Sequence, residues 1–280
     1  MSQTIPEITL NDGLTLPVIG FGTYKLNGND GATAITSAID RGYRLIDTAY
    51  NYENEGTVGE AIRRSTVPRN ELRVTSKLPG RYQEYNKAVT AIQESLYRAN
   101  LDYYDLYLIH WPNPNQGHFV EAFQALIDAK KWGLIRSIGV CNFLPEHLET
   151  LEKETDVKPS INQIELHPFF NQEPQRRWHE QNNIKTQSWS PLARVKDILD
   201  NETISQIAQH HNKSVSQVIL RWHYQLGSIP IPKSSSPERQ LENISIFDFS
   251  LDETEMGMIA ELTRPDGRIN DQDPATYEEF

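Results

Sequence analysis

Short runs of β-branched and other apolar residues alternate along the chain with stretches whose apolar positions recur at helical spacing. Strands are expected at 18–22, 43–47, 72–77, 104–110, 134–140, 160–165, 184–188 and 228–231. Every gap between them has room for a helix. In 29–40, Ala34, Ile35, Ala38 and Ile39 fall on one face, with Asp30 placed to cap the start and Gly42 to stop the turn. In 83–100, Ala88, Val89, Ile92, Leu96 and Tyr97 share a helical face. Strand then helix throughout means a parallel sheet. Eight such units in 280 residues favour an α/β fold of one domain, 1–280, built as a closed (β/α)8 TIM barrel rather than an open sheet. Two pieces fall outside the alternation. Residues 8–16, with Asp12-Gly13 as the turn, predict an N-terminal β-hairpin. Residues 251–263 predict an extra C-terminal helix, followed by a polar tail.

Barrel active sites sit at the C-terminal ends of the strands. Four ionisable residues fall there: Asp47 and Tyr52 after the second strand, Lys77 closing the third and His110 closing the fourth. These are the types that carbonyl reduction needs. Hydride goes to carbon, and a positioned acid gives a proton to oxygen. A phenol has an ordinary pKa of about 10, too high for easy transfer near neutrality. A neighbouring ammonium favours the phenolate, so Lys77 is expected to lower the pKa of Tyr52. Asp47 can keep Lys77 charged and fixed, and His110 can donate to the carbonyl oxygen.

Composition narrows the class. Hydrophobic residues make up 38 %, with five Trp and twelve Tyr, so a substantial core is available. The net charge of −11 argues against nucleic-acid or membrane-surface binding, so an anionic ligand needs a local cationic cluster. The single cysteine, Cys141, permits no internal disulfide. The stretch 1–7 lacks a basic region followed by an apolar run, so no signal peptide is expected. No apolar run approaches the roughly 20 residues of a membrane span. A soluble cytoplasmic protein is the expectation.

The order of motifs resembles one family. Gly42-Tyr43-Arg44-Leu45-Ile46-Asp47-Thr48-Ala49 followed by Glu55-Gly56-Thr57-Val58-Gly59 is similar to the first signature of the aldo-keto reductases. Ile231-Pro232-Lys233-Ser234, then Arg239 and Glu242-Asn243, resembles their C-terminal signature. Gly20-Phe21-Gly22-Thr23, His110-Trp111-Pro112, Gly139-Val140-Cys141-Asn142-Phe143, Asn162-Gln163-Ile164-Glu165 and Trp189-Ser190-Pro191-Leu192 fit in order between them. The resemblance runs from about residue 8 to 262 and implies the (β/α)8 barrel, NADPH as cofactor, and Asp47, Tyr52, Lys77 and His110 as a catalytic tetrad with Tyr52 the general acid. It further implies cofactor contacts from Thr23, Asn142, Gln163, Trp189, Ser190, Leu192, Lys233, Ser234, Arg239 and Asn243. Asn142 and Gln163 would hold the nicotinamide carboxamide, and Trp189 would stack on the ring. One departure is Cys141, where the family often has Ser; a thiol is the weaker hydrogen-bond partner.

The residues support the cofactor separately. No Gly-x-Gly-x-x-Gly stands at a strand–helix junction, which disfavours a Rossmann site. Lys233 and Arg239 flank Ser234, Ser235 and Ser236 after the last strand, where barrels hold phosphate. Arginine can grip a phosphate with two parallel hydrogen bonds, which points to NADPH, with its 2′-phosphate, over NADH. Tyr24, Tyr50 and Trp111 are candidates for the substrate mouth. The stretch 113–117 is short and predicts an open pocket for small aldehydes, dicarbonyls or keto-sugars, in the manner of bacterial diketogluconate and methylglyoxal reductases. The expected partner is a small-molecule carbonyl substrate, and the expected state is a monomer. Three alternatives stay open. A metal-dependent hydrolase could use Glu165 and His167 with His110 or His118. A noncatalytic nicotinamide-binding regulatory module could keep the barrel and bind the cofactor for regulation. An alcohol dehydrogenase could run the same chemistry in reverse.

Overall fold

A computed structural model describes residues 5–195 and 197–280. The hairpin forms where the Asp12-Gly13 signal placed it. Strands β1 (Glu7–Thr9) and β2 (Thr15–Pro17) pair antiparallel, with Ile8 opposite Leu16. Gly13 takes φ +90°, a left-handed conformation that glycine adopts without steric cost.

Eight parallel strands follow in chain order: β3 (Phe21–Gly22), β4 (Leu45–Asp47), β5 (Arg73–Leu78), β6 (Tyr104–Ile109), β7 (Ile135–Cys141), β8 (Ile161–Glu165), β9 (Lys185–Trp189) and β10 (Ile229–Pro230). The seam between first and last is bridged by Gly20 N to Pro230 O and Gly22 N to Pro232 O, each 3.0 Å. The sheet is therefore a closed barrel. Around it lie α1 (Gly28–Asp40), α2 (Glu55–Arg64), α3 (Tyr85–Ala99), α4 (Phe119–Lys131), α5 (Pro145–Thr155), α6 (Glu173–Gln181), α7 (Glu202–His211), α8 (Val215–Gln225), α9 (Pro237–Ile244) and α10 (Glu253–Ala260).

Side chains two apart on a strand share a face, and this sorts the barrel interior into layers. Leu45, Leu106, Leu108, Ile161 and Ile229 form one apolar cluster with Leu10 and Leu16 of the hairpin, which plugs the N-terminal end. Gly139 is required in this layer: a Cβ there would stand 2.7 Å from Ile161 O and 2.8 Å from Leu108 Cδ2. One step further along the same faces the residues turn polar, with Asp47 two beyond Leu45 and Gln163 two beyond Ile161. The site is thus the polar continuation of a packed core.

Several expectations need correction. The first strand is short: only Phe21 and Gly22 join the ladder, although 18–20 are buried. The N-cap of α1 is Asn27, and Asp30 lies inside the first turn. Tyr97 is 73 % exposed; the buried face of α3 is Ala88, Ala91, Ile92, Ser95, Leu96 and Ala99. Strict alternation breaks between β9 and β10, which hold both α7 and α8. The predicted extra helix is α10, capped reciprocally by Asp252 and Glu255. The polar tail is not a free tail: it returns to the barrel mouth. No helix among the described residues is long and apolar enough to cross a membrane.

Two imidazoles are built into the core as neutral groups. Burial pushes His223 down to about 3 and His179 down to about 4. His179 sits between Asn162 Nδ2 at 3.0 Å and Thr186 Oγ1 at 2.9 Å. An unfolded chain takes up these protons near a pH of about 6.5, whereas the native chain does not. The stability they contribute is whole above that pH and is lost as pH falls toward their native values. Urea midpoints should therefore drop between pH of about 6.5 and about 4, with a shallower slope in His223→Gln. Midpoints constant over that range would contradict the assignment.

Candidate active site

A cavity of about 730 Å³ opens at the C-terminal ends of the strands. Its floor is an ion pair. Lys77 Nζ, fully buried, donates to Asp47 Oδ1 at 2.6 Å and to the Thr48 carbonyl at 2.8 Å. The other oxygen of Asp47 accepts from Gln163 Nε2 at 2.8 Å, which also donates to Gln187 Oε1 at 2.7 Å. Burial works against the Lys77 ammonium, but the Asp47 carboxylate and the Tyr52 phenol outweigh it and raise the pKa. Lys77 is a fixed positive charge.

Tyr52 stands above this pair on the short turn Tyr50–Tyr52. Lys77 Nζ is 5.1 Å from its ring centroid. The His110 ring meets it edge-on at 5.9 Å, and the Tyr24 ring at 5.1 Å. The turn is held by Asn54, which donates to the carbonyls of Thr23 at 2.7 Å and Leu26 at 3.0 Å and accepts from Thr48 Oγ1 at 2.7 Å. Tyr52 is open to the cavity on one side, yet the protein around it pushes the phenol up to about 12. Lys77 pulls in the opposite direction without prevailing. The expected net lowering is not found, because burial raises the phenol more than Lys77 lowers it.

The candidate cofactor residues fall into two groups. Thr23, Asn142, Gln163, Trp189, Ser190, Leu192 and Lys233 line the cavity. Asn142, with φ +62°, donates to His110 O at 3.0 Å and accepts from Trp189 Nε1 at 2.7 Å. Ser234, Arg239 and Asn243 lie beyond the lining, on and before α9. Lys233 and Arg239 are exposed and form no ion pair with another described residue. Ser236 caps α9 by accepting from Arg239 N. Two cations outside any ion pair among the described residues, beside the start of a helix, suit a phosphate in a chain of net charge −11. The residues present therefore fit a phosphorylated dinucleotide.

Of the three mouth aromatics, Tyr24 and Trp111 line the cavity and Tyr50 does not. Tyr50 lines a separate shallow groove with Tyr82, and Arg98 covers its ring at 3.5 Å. The period of the turn sends Tyr50 and Tyr52 to different sides. Cys141 is 1 % exposed and burial pushes its thiol well above the ordinary range, so it is a small core residue at the cavity floor. The metal constellation does not assemble: Glu165 pairs with His167 at 3.0 Å, His118 with Glu121 at 2.9 Å and His110 with Glu279 at 2.7 Å. Among the described residues, His210, His211 and Glu255 bring their ligand atoms within 4.8 Å, and none of them lines the cavity.

Sequence reasoning missed the tail. Gln272, Tyr277 and Glu279 supply part of the wall, so the short 113–117 stretch does not leave the mouth unscreened. Tyr277 packs on Trp111 with centroids 4.4 Å apart. The local signal is two aromatics, Tyr277 and Phe280, in a mostly polar end.

A sequence model of the Aldo/keto reductase family matches residues 18–264. The chain belongs to that family. It is 50 % identical over 276 residues to 2,5-diketo-D-gluconic acid reductase B of Corynebacterium sp. (strain SHS752001), covering 99 % of each chain. It is 44 % identical over 256 residues to methylglyoxal reductase DkgA of Escherichia coli (strain K12), covering 91 % of this chain and 92 % of that one. Among solved structures, a point mutant of Gox0644 in complex with NADPH superposes with a TM-score of 0.94 at 41 % identity, covering 99 % of this chain and 100 % of that one. The Bombyx mori aldo-keto reductase in complex with NADP gives 0.90 at 35 % identity, covering 99 % of each.

The buried pair makes a stability prediction. Lys77→Met leaves the Asp47 carboxylate without its charge partner, which should cost about 3–5 kcal/mol by urea unfolding. A loss below about 1 kcal/mol would contradict a buried charge pair at this position.

Proposed function

We propose that this chain reduces small aldehydes or ketones to alcohols with NADPH, and that Tyr52 delivers the proton. The observation that carries this reading is the Lys77 ammonium held by Asp47 directly beneath the Tyr52 ring, with His110 on the same cavity. Bound NADPH would supply the hydride. Thr23, Asn142, Gln163, Trp189, Ser190 and Leu192 would hold its nicotinamide end, and Lys233, Ser234, Arg239 and Asn243 its phosphates.

The chain's own residues do the rest. Tyr52 donates its hydroxyl proton to the carbonyl oxygen as negative charge develops there. The Lys77 charge opposes the burial that holds the phenol near 12, so it stabilises the phenolate left behind. Asp47 keeps that ammonium in place, and Gln163 keeps Asp47 in place. His110 polarises the carbonyl from the neighbouring side. Tyr24 and Trp111 exclude water from the reacting bond and offer apolar contact. The cavity, with polar groups at its floor and aromatics at its mouth, suits dicarbonyls such as methylglyoxal and keto-sugars such as 2,5-diketogluconate. We assign a monomer, since the site is complete within one chain.

Tyr52→Phe should lower turnover of a dicarbonyl by about a hundredfold or more while leaving the NADPH Kd nearly unchanged. Comparable turnover in the variant would remove Tyr52 as the donor. Replacing Lys233 or Arg239 by Met should weaken NADPH by about 1.5–3 kcal/mol and NADH far less. Equal losses for the two cofactors would contradict the 2′-phosphate assignment.

A further inference from the structure

The C-terminal tail is fastened to the mouth by contacts unlike those of a loose end. Asn113, fully buried and at φ +46°, grips the backbone of Glu279 from both sides. Its Nδ2 donates to Glu279 O at 2.7 Å, and its Oδ1 accepts from Glu279 N at 3.1 Å. Gly80 makes room for this passage: a Cβ there would run into the Asn113 side chain and the Glu279 carbonyl. Upstream, Ile269 N donates to Glu165 Oε1 at 2.6 Å and Arg264 N to Phe169 O at 3.1 Å.

The fastening delivers one carboxylate to one place. Glu279 is 7 % exposed. Its Oε2 accepts from Gly80 N at 3.0 Å, and its Oε1 accepts from Asn51 Nδ2 at 2.8 Å and lies 2.7 Å from His110 Nδ1. Burial works against the charge, but His110 and these donors outweigh it and lower the Glu279 pKa. The approach lies off the axis of a ring N–H, so the contact acts chiefly as a charge pair. A carboxylate oxygen 2.7 Å from a ring nitrogen is repelled by an unprotonated nitrogen and attracted by a protonated one, so Glu279 favours a proton on Nδ1. A neutral imidazole has one such proton only. A His110 that also donates from Nε2 toward the cavity must then be doubly protonated, and it needs an anion beside it.

We propose that Glu279 is a positioning residue: its carboxylate favours a proton on His110 Nδ1 and balances the charge of a ring that donates to the carbonyl from Nε2. The inference rests on the carbonyl-polarising role assigned to His110 above. It makes the last turn of the chain part of the reaction centre and places a negative charge behind the electrophile.

The test is Glu279→Ala in the full chain, with Glu279→Gln and Tyr52→Phe assayed in parallel. Glu279→Ala should lose about tenfold or more in kcat for a dicarbonyl while its NADPH Kd stays within about twofold. Added formate should restore kcat saturably in Glu279→Ala, and it should do nothing for the wild type or for Tyr52→Phe. Glu279→Gln keeps the shape and removes the charge, so it should be slowed as well; this variant carries the test if the alanine chain fails to bind NADPH. Full kcat in Glu279→Gln, or a loss in Glu279→Ala that formate leaves unrestored, overturns the proposal. An inactive Tyr52→Phe beside a fully active Glu279→Ala overturns this inference alone. An active Tyr52→Phe overturns the reductase mechanism itself.

Discussion

A lysine with no solvent exposure is the constraint on which this mouth is built. Removing an ammonium from water is costly unless a counter-charge and further hydrogen-bond partners replace the water. Asp47 and the Thr48 carbonyl supply those for Lys77, and Gln163 supplies the remaining partner for Asp47. The arrangement therefore ties β4, β5 and β8 together at one level of the barrel. Such a pair is weak evidence for stability, because well-packed apolar residues would serve the core as well. What it provides is a fixed positive charge 5.1 Å from the ring of Tyr52.

Much of this was legible in the chain. The two-residue period of the strands places Asp47 and Lys77 on the inward face, and the barrel rule places their ends at the mouth. The order of motifs supplied Asn142, Gln163 and Trp189, which the structure brings to the same cavity. Local signals failed where conformation or long-range contact decides. Tyr50 and Tyr52 are both aromatic and both in one turn, and only the backbone of that turn sends one of them outward. Tyr97 matched a helical face by spacing but falls at the rim of α3, where packing ends. α7 was hidden because a long gap between strands reads as one helix as readily as two.

The tail was the largest omission, and its cause is physical. Glu278 and Glu279 read as a solvated charged end, since acidic residues are seldom buried without partners. Their partners are Asn113, Asn115, Gly80, Asn51 and His110, all more than a hundred residues away. No local pattern encodes contacts of that separation. The same separation explains why a short loop after β6 did not produce an open mouth: the wall comes from the far end of the chain.

The phenol itself offers the most direct test of the central claim. In a chain carrying 13C-labelled tyrosine, the Tyr52 ring carbon should titrate at about 12 in the wild type, and the Lys77→Met variant should hold its proton to still higher pH, because the neighbouring charge that favours the phenolate is gone. A Tyr52 titration that is unmoved or lowered in Lys77→Met would show that the buried ammonium does not act on the phenol, and the account would fail at its base.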